Sequence, residues 1–209
     1  MKAIAFCGPH NSGKTTLIKE VVNGLSLRGY SVGVVKSTKH SSLFREPGKD
    51  TTVFLDSPAS EVGLVCRSES VVFYKRRLEV DDLLSLFDCD FLIFEGFRKS
   101  FLPKVAVFTS YEEDYWKGVE NVVAVVTDSG FSENLPWSVP RFSRGDVDKV
   151  VNLVERLSYE HVGASLWVNG RKIEMKPFVE SLLRDVVLGV VRNLKGAESP
   201  RRVKIEIVL

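Results

Sequence analysis

The residues best equipped for chemistry begin at position 8. Gly8-Pro9-His10-Asn11-Ser12-Gly13-Lys14-Thr15 fits the Walker A pattern G-x-x-x-x-G-K-[ST] in every defined position. Glycine at 8 and 13 lets backbone amides turn inward with no side chain in the way, and the loop opens onto a predicted helix whose N-terminal end is positive. Gly8, Asn11, Ser12, Gly13, Lys14, Thr15 and Thr16 are therefore candidate phosphate-binding residues. Lys14 is placed to reach the β- and γ-phosphates of a nucleoside triphosphate, and the Thr15 hydroxyl to ligate Mg²⁺.

Such a loop needs a carboxylate near the metal. "CDFLIFEGF" supplies an apolar strand that ends in Glu95, and Gly96 behind it permits close backbone approach. Asp50, in the polar stretch "EPGKDTT", is a second acid, in a segment expected to be a loop. Lys14, Glu95 and Asp50 are the candidate catalytic groups, and Thr15, Glu95 and Asp50 the candidate metal ligands. Lys36 and His40 in "VVKSTKHSS" follow the second predicted strand, on the edge where doubly wound sheets bind ligands. Asp128 ends "VVAVVTD". A carboxylate there would accept the N1–H and the exocyclic amine of guanine, a pattern adenine does not offer, though a plain Asp-Ser-Gly turn explains the residue equally well. No Asn-Lys-x-Asp run is present.

These residues need a frame. Apolar runs bounded by turn signals predict strands at Ala3–Cys7, Ser31–Lys36, Glu61–Cys66, Val71–Tyr74, Phe91–Phe94, Val105–Phe108 and Val122–Thr127. Helical spacing predicts helices at Lys14–Arg28, Val80–Phe87 and Asp146–Leu157. Several strands are apolar on both sides, which suits an α/β fold: a mostly parallel sheet with helices on both faces, over residues 1–158. From 159 to 209 the texture changes to a small α+β extension. Two alternating runs meet at Asn169-Gly170, a two-residue hairpin signal. A helix follows from Pro177 towards Gly196, and then a last predicted strand, Val203–Val208.

Composition narrows the partners. The chain has 209 residues and a formal net charge of +2, so no chain-wide basic field points to nucleic acid or to an anionic membrane surface. Cys7, Cys66 and Cys89 lie in apolar runs without metal-ligand spacing. The N-terminus runs straight into the glycine-rich loop, which leaves no room for a signal peptide, and no stretch approaches the ~18 apolar residues of a membrane span. A cytoplasmic protein is expected.

The Walker A loop, "VGVVKSTKH", "GKDT" and "LIFEGF" followed by "LPKVAVF" occur in an order and spacing that resembles the MobB family of molybdopterin-guanine dinucleotide biosynthesis adaptors, from Met1 to about Leu157. Lys36, His40, Lys49, Asp50, Glu95, Gly96 and Phe97 match that family's positions. Ser37 and Ser41 depart from it, standing where a His and an Asp are expected, and Pro58-Ala59-Ser60 follows its Ala-Gly-Ala-like segment only loosely. The resemblance implies a P-loop NTPase fold and a GTP-binding, Mg²⁺-using adaptor or slow GTPase that assists attachment of GMP to molybdopterin. It further implies molybdopterin as a second ligand, the nucleotidyltransferase MobA and molybdopterin-dependent apoenzymes as partners, and a homodimer. The competing reading is an ATP-using small-molecule or nucleoside kinase, whose phosphate lid would be "YKRRLEV", Tyr74 to Val80. Arg98, just beyond "EGF", is the nearest candidate for an arginine finger, with a surface role as the alternative.

Overall fold

Strand β1 (Lys2–Cys7) is the axis of the sheet in the computed structural model, which describes residues 1–38, 50–128, 134–157, 159–160, 163–169, 171–197, 200 and 202–207. Its side chains alternate between two cores, as the period of two in a strand requires. Ile4 and Phe6 pack with Leu17, Ile18, Val21 and Leu25 of α1 (Lys14–Leu27) and with Val150, Val151 and Val154 of α5 (Val147–Leu157). Ala3, Ala5 and Cys7 face the other way, where their small side chains leave room for Phe94, Phe108 and Trp116. Leu83 and Leu84 of α3 (Val80–Leu86) and Trp116 of the short α4 (Glu113–Trp116) close that second face. The Phe108 and Trp116 rings meet edge to face at 5.4 Å between centroids.

Around β1 the strand order is β2 (Val32–Lys36), β5 (Phe91–Glu95), β1, β6 (Lys104–Val107), β7 (Val122–Thr127) and β8 (Arg141–Ser143), every pair parallel. The two-residue β9 (Tyr159–Glu160) adds antiparallel to Lys2 and Ala3. Because the chain passes from β5 to β6 across β1, the crevice beyond the carboxyl ends of these strands is where this topology binds ligands.

The structure corrects the sequence reading in several places. Strands β3 (Glu61–Val65) and β4 (Ser70–Tyr74) do not join the parallel sheet. They form their own antiparallel pair, since the Cys66-to-Glu69 turn is too short for a parallel crossover. Asp50 opens helix α2 (Asp50–Asp56) instead of lying in a loop; an acid in the first turn favours the helix dipole there. Strand β8 was not legible, being three residues long after Pro140.

The chain divides into two compact units, Met1–His161 and Val162–Leu209. In the second, Val168 pairs with Arg171 across the hairpin of β10 (Leu166–Val168) and β11 (Arg171–Ile173), and Asn169 takes the left-handed φ of +51° that its tight turn demands. Helix α6 (Pro177–Val191) starts with proline in its first turn, as expected, but ends five residues before Gly196, with turns over Asn193 and Leu194. The predicted last strand does not form: residues 203–207 carry no strand pairing, and Val208 lies outside the described residues.

Candidate functional site

Register brings the chemistry together. Phe6 pairs with Glu95 and Lys36 with Glu95, so β1, β5 and β2 end side by side. The first turn of α1 then carries Thr15 to the same point. Thr15 Oγ1 donates to Glu95 Oε1 at 2.9 Å, and the Lys36 ammonium stands 2.8 Å from that same oxygen. Glu95 is only 8% exposed, so burial desolvates its charge, and these two partners offset the cost.

The loop between β1 and α1 has the conformation its glycines permit. Gly13 has φ +76° and Asn11 φ +58°, both left-handed. A Cβ on Gly8 would overlap the Val107 carbonyl oxygen of the neighbouring strand. The Tyr115 hydroxyl from α4 donates to the Gly8 carbonyl at 2.7 Å and accepts from the Gly8 amide at 3.2 Å. Lys14 Nζ donates to the Pro9 carbonyl at 2.5 Å and to Ser12 Oγ at 3.0 Å. Burial pushes the Lys14 ammonium below its ordinary range, with Glu95 acting in the opposite direction. An arriving polyphosphate would relieve that penalty, so the loop is electrostatically receptive to anions.

Beyond Glu95 the backbone is strained. Gly96 (φ +95°) and Phe97 (φ +52°) are left-handed in succession, held by the Gly96 amide donating to Phe6 O at 2.9 Å and by edge packing of Phe97 on Phe94 at 4.9 Å. Arg98 does not reach out as a finger. Its guanidinium lies 4.7 Å from the Tyr115 ring and donates to the Tyr115 carbonyl at 2.6 Å.

At the other end of the loop, the parallel pairing of Thr127 with Ser143 sets the next residues, Asp128 and Arg144, side by side. Arg144 Nε pairs with Asp128 Oδ1, and Arg144 Nη1 donates to the Ser12 carbonyl at 2.7 Å. The turn that carries Arg144 is fixed by Asp146, whose Oδ2 accepts from the Ser143 amide at 2.9 Å and the Ser143 hydroxyl at 2.8 Å. Lys149 and Ser143 hold the Asp146 carboxyl down to about 2. A carboxyl depressed on folding contributes stability that is complete above the unfolded value near 3.8 and is lost as pH falls through about 2. Asp146→Asn should therefore lie below the parent in Tm at neutral pH, with the gap closing between about pH 4 and pH 2. A gap that stays constant over that range in a Tm-against-pH series would refute the role given to Asp146.

The family model of MobB, molybdopterin guanine dinucleotide synthesis protein B, matches residues 3–128, which hold the Walker A loop, Lys36, Glu95 and Asp128. The chain belongs to the MobB family. It is 25% identical to a Methanocaldococcus jannaschii protein assigned to the same biosynthesis, over 99% of this chain and 97% of that one, so the match includes the C-terminal unit. It is 27% identical to the molybdopterin-guanine dinucleotide biosynthesis adapter protein of Haemophilus influenzae, over 77% of this chain and 92% of the relative. The crystal structure of Bacillus subtilis MobB superposes with a TM-score of 0.61 over 76% of this chain and 99% of that one, at 24% identity, and shares the mostly parallel sheet with its helices.

In this MobB-family chain the donor set fits a hard divalent cation. Thr15 and Glu95 offer oxygen ligands, and the Lys36 ammonium shows that Glu95 Oε1 already attracts positive charge. Thr15, Lys36 and Glu95 are brought together, as are Ser12, Gly13 and Lys14 in the loop. Asn11 and Thr16 are exposed on the loop and on the first turn of α1. Among the described residues, no hydrogen bond or ion pair joins Asp50 to Thr15, Glu95 or Lys36. His40 and Lys49 lie outside the described residues. Two site residues escaped the sequence reading. Tyr115 sits on a four-residue helix with no periodic signal, whereas Arg144 was findable had "RFSRGD" been read as a short strand leading into a capped helix.

Proposed function

We propose that this chain is a GTP-binding, Mg²⁺-using adapter with slow GTPase activity, acting in synthesis of molybdopterin guanine dinucleotide. The observation that carries the reading is the corner formed by Thr15, Lys36 and Glu95 beside the phosphate loop of a MobB-family chain. Lys14 would hold the β- and γ-phosphates, and Thr15 and Glu95 would hold Mg²⁺. Bound there, Mg²⁺ would supply positive charge against the β- and γ-phosphate groups. Asp128 would read the guanine edge. Within this reading molybdopterin is the second ligand, MobA and molybdopterin-dependent apoenzymes are the partners, the assembly is a homodimer and the compartment is the cytoplasm.

The kinase alternative has no support in the family match or in the structural relatives. Its proposed lid is also committed elsewhere: Arg76 pairs with Asp82 at 3.0 Å and Arg77 with Glu79 at 3.4 Å, both at the start of α3.

Titration with fluorescent GTP and ATP analogues, with and without Mg²⁺, tests the proposal. Mg²⁺-dependent preference for GTP is expected, and preference for ATP would overturn it. Asp128→Asn adds a sharper readout, because an amide donates to the C2 carbonyl of xanthine where a carboxylate accepts from the C2 amine of guanine. GTP affinity should fall by about tenfold or more while xanthosine triphosphate gains, with ATP little changed. Equal losses for all three nucleotides would assign Asp128 a structural role.

A further inference from the structure

We propose that Arg144 sets base preference in this site, by holding Asp128 in its reading position and tying it to the phosphate loop. The inference rests on the nucleotide reading above and names a residue that reading does not use.

The geometry is that of one guanidinium serving three directions. Nε is committed to Asp128 Oδ1, and Nη1 to the Ser12 carbonyl at 2.7 Å. Nη2 is buried and has no hydrogen-bond partner among the described residues. The hydroxyl of Thr127, next to Asp128 and itself buried, is likewise without a partner among them. Buried polar atoms are nearly always satisfied, so the orphaned Nη2 of the guanidinium that holds Asp128 marks a place where a ligand's polar atom belongs. Room for the guanidinium is made by Gly13: a Cβ there would collide with Arg144 Nη1, so that glycine answers to Arg144 as well as to its left-handed backbone.

Asp128 needs such a partner. Its side chain is 53% exposed at the end of a strand, where a carboxylate alone would sample several rotamers. A charge-assisted bond from a planar guanidinium selects one of them and uses a single lone pair, leaving the others for a ring N–H and an exocyclic amine. The flat face of the guanidinium is in addition a surface on which a purine ring can stack. Because the same group donates to the Ser12 carbonyl, one side chain links the base-reading acid to the phosphate-binding loop. The chain has no Asn-Lys-x-Asp run to supply acid and cation from one segment. Here they come from the ends of two strands, matched by the pairing of Thr127 with Ser143.

The test compares affinities for fluorescent GTP and ATP analogues with Mg²⁺ in the full chain, Arg144→Ala and Arg144→Lys, with Tm as the folding control. Arg144→Ala should reduce the GTP-over-ATP ratio by about tenfold or more while ATP affinity changes by less than about threefold. Arg144→Lys, which keeps charge but loses the fork, should fall between the two. A parent that prefers GTP beside an Arg144→Ala variant with an unchanged ratio overturns the inference alone, and that includes equal loss of both nucleotides, the result expected of a mere brace for the loop. A parent with no preference for GTP overturns the proposed function and this inference together. Should Arg144→Ala fail to fold, Arg144→Lys carries the same comparison, and an undiminished ratio there refutes the role of the fork.

Discussion

Lys14→Ala should lower affinity for any nucleoside triphosphate by about a hundredfold or more, a loss of about 2.7 kcal/mol, while Tm stays within about 2 °C of the parent. The direction follows from position: the ammonium is held at the mouth of the loop by the Pro9 carbonyl and Ser12 Oγ, and it is half-buried. Removing it withdraws the one side-chain cation of the Walker A motif, and no packed core depends on it. The lost bond to Pro9 leaves a carbonyl on an open loop, where water replaces the donor at small cost. Isothermal titration alongside a thermal melt separates the two effects. Full retention of nucleotide affinity in a folded variant would remove the phosphate assignment from this loop.

Lys104→Met should act in the opposite way, on stability and only secondarily on binding. Lys104 is fully buried, and Nζ donates to the carbonyls of Ser100 at 2.6 Å, Leu102 at 2.9 Å and Glu120 at 2.9 Å. Burial pushes its ammonium below the usual lysine range, yet three well-placed acceptors satisfy all three of its protons. Methionine fills a similar volume but leaves the carbonyls unpaired, each worth about 1–3 kcal/mol if it stays dry. Relief from burying a charge offsets part of that, so the net loss is expected near 3 kcal/mol, or roughly 6–12 °C in Tm for a domain of this size. Because the cage ties the stretch after Phe97 to the turn before β7, nucleotide affinity at temperatures well below the melt should change little. A melt within about 2 °C of the parent would show that water or relaxation satisfies the carbonyls.

What the sequence determined by itself was whatever depends on near neighbours along the chain. The Walker A loop needs only its own glycines, its lysine and the strand and helix that flank it, and those are written within Lys2–Leu27. Strand β5 and its terminal Glu95 were legible because an apolar run ending in an acid is a local pattern, and the families of motifs around them marked the MobB resemblance that the match over residues 3–128 bears out. The Asn169 hairpin turn and the proline start of α6 belong to the same class.

Tertiary structure decided everything that joins distant segments. The meeting of Thr15 with Glu95 spans 80 positions, that of Tyr115 with Gly8 spans 107 and that of Arg144 with Ser12 spans 132. No local propensity encodes such contacts; they follow from which strands become neighbours and in what register, since a parallel register fixes which residues stand level at the carboxyl edge. The same cause explains the errors. Strands β3 and β4 have ordinary strand composition, and only their short turn and the absence of a crossover separate them from the main sheet. Residues 203–207 alternate like a strand but carry no strand pairing among the described residues, and a strand exists only when another supplies its hydrogen bonds.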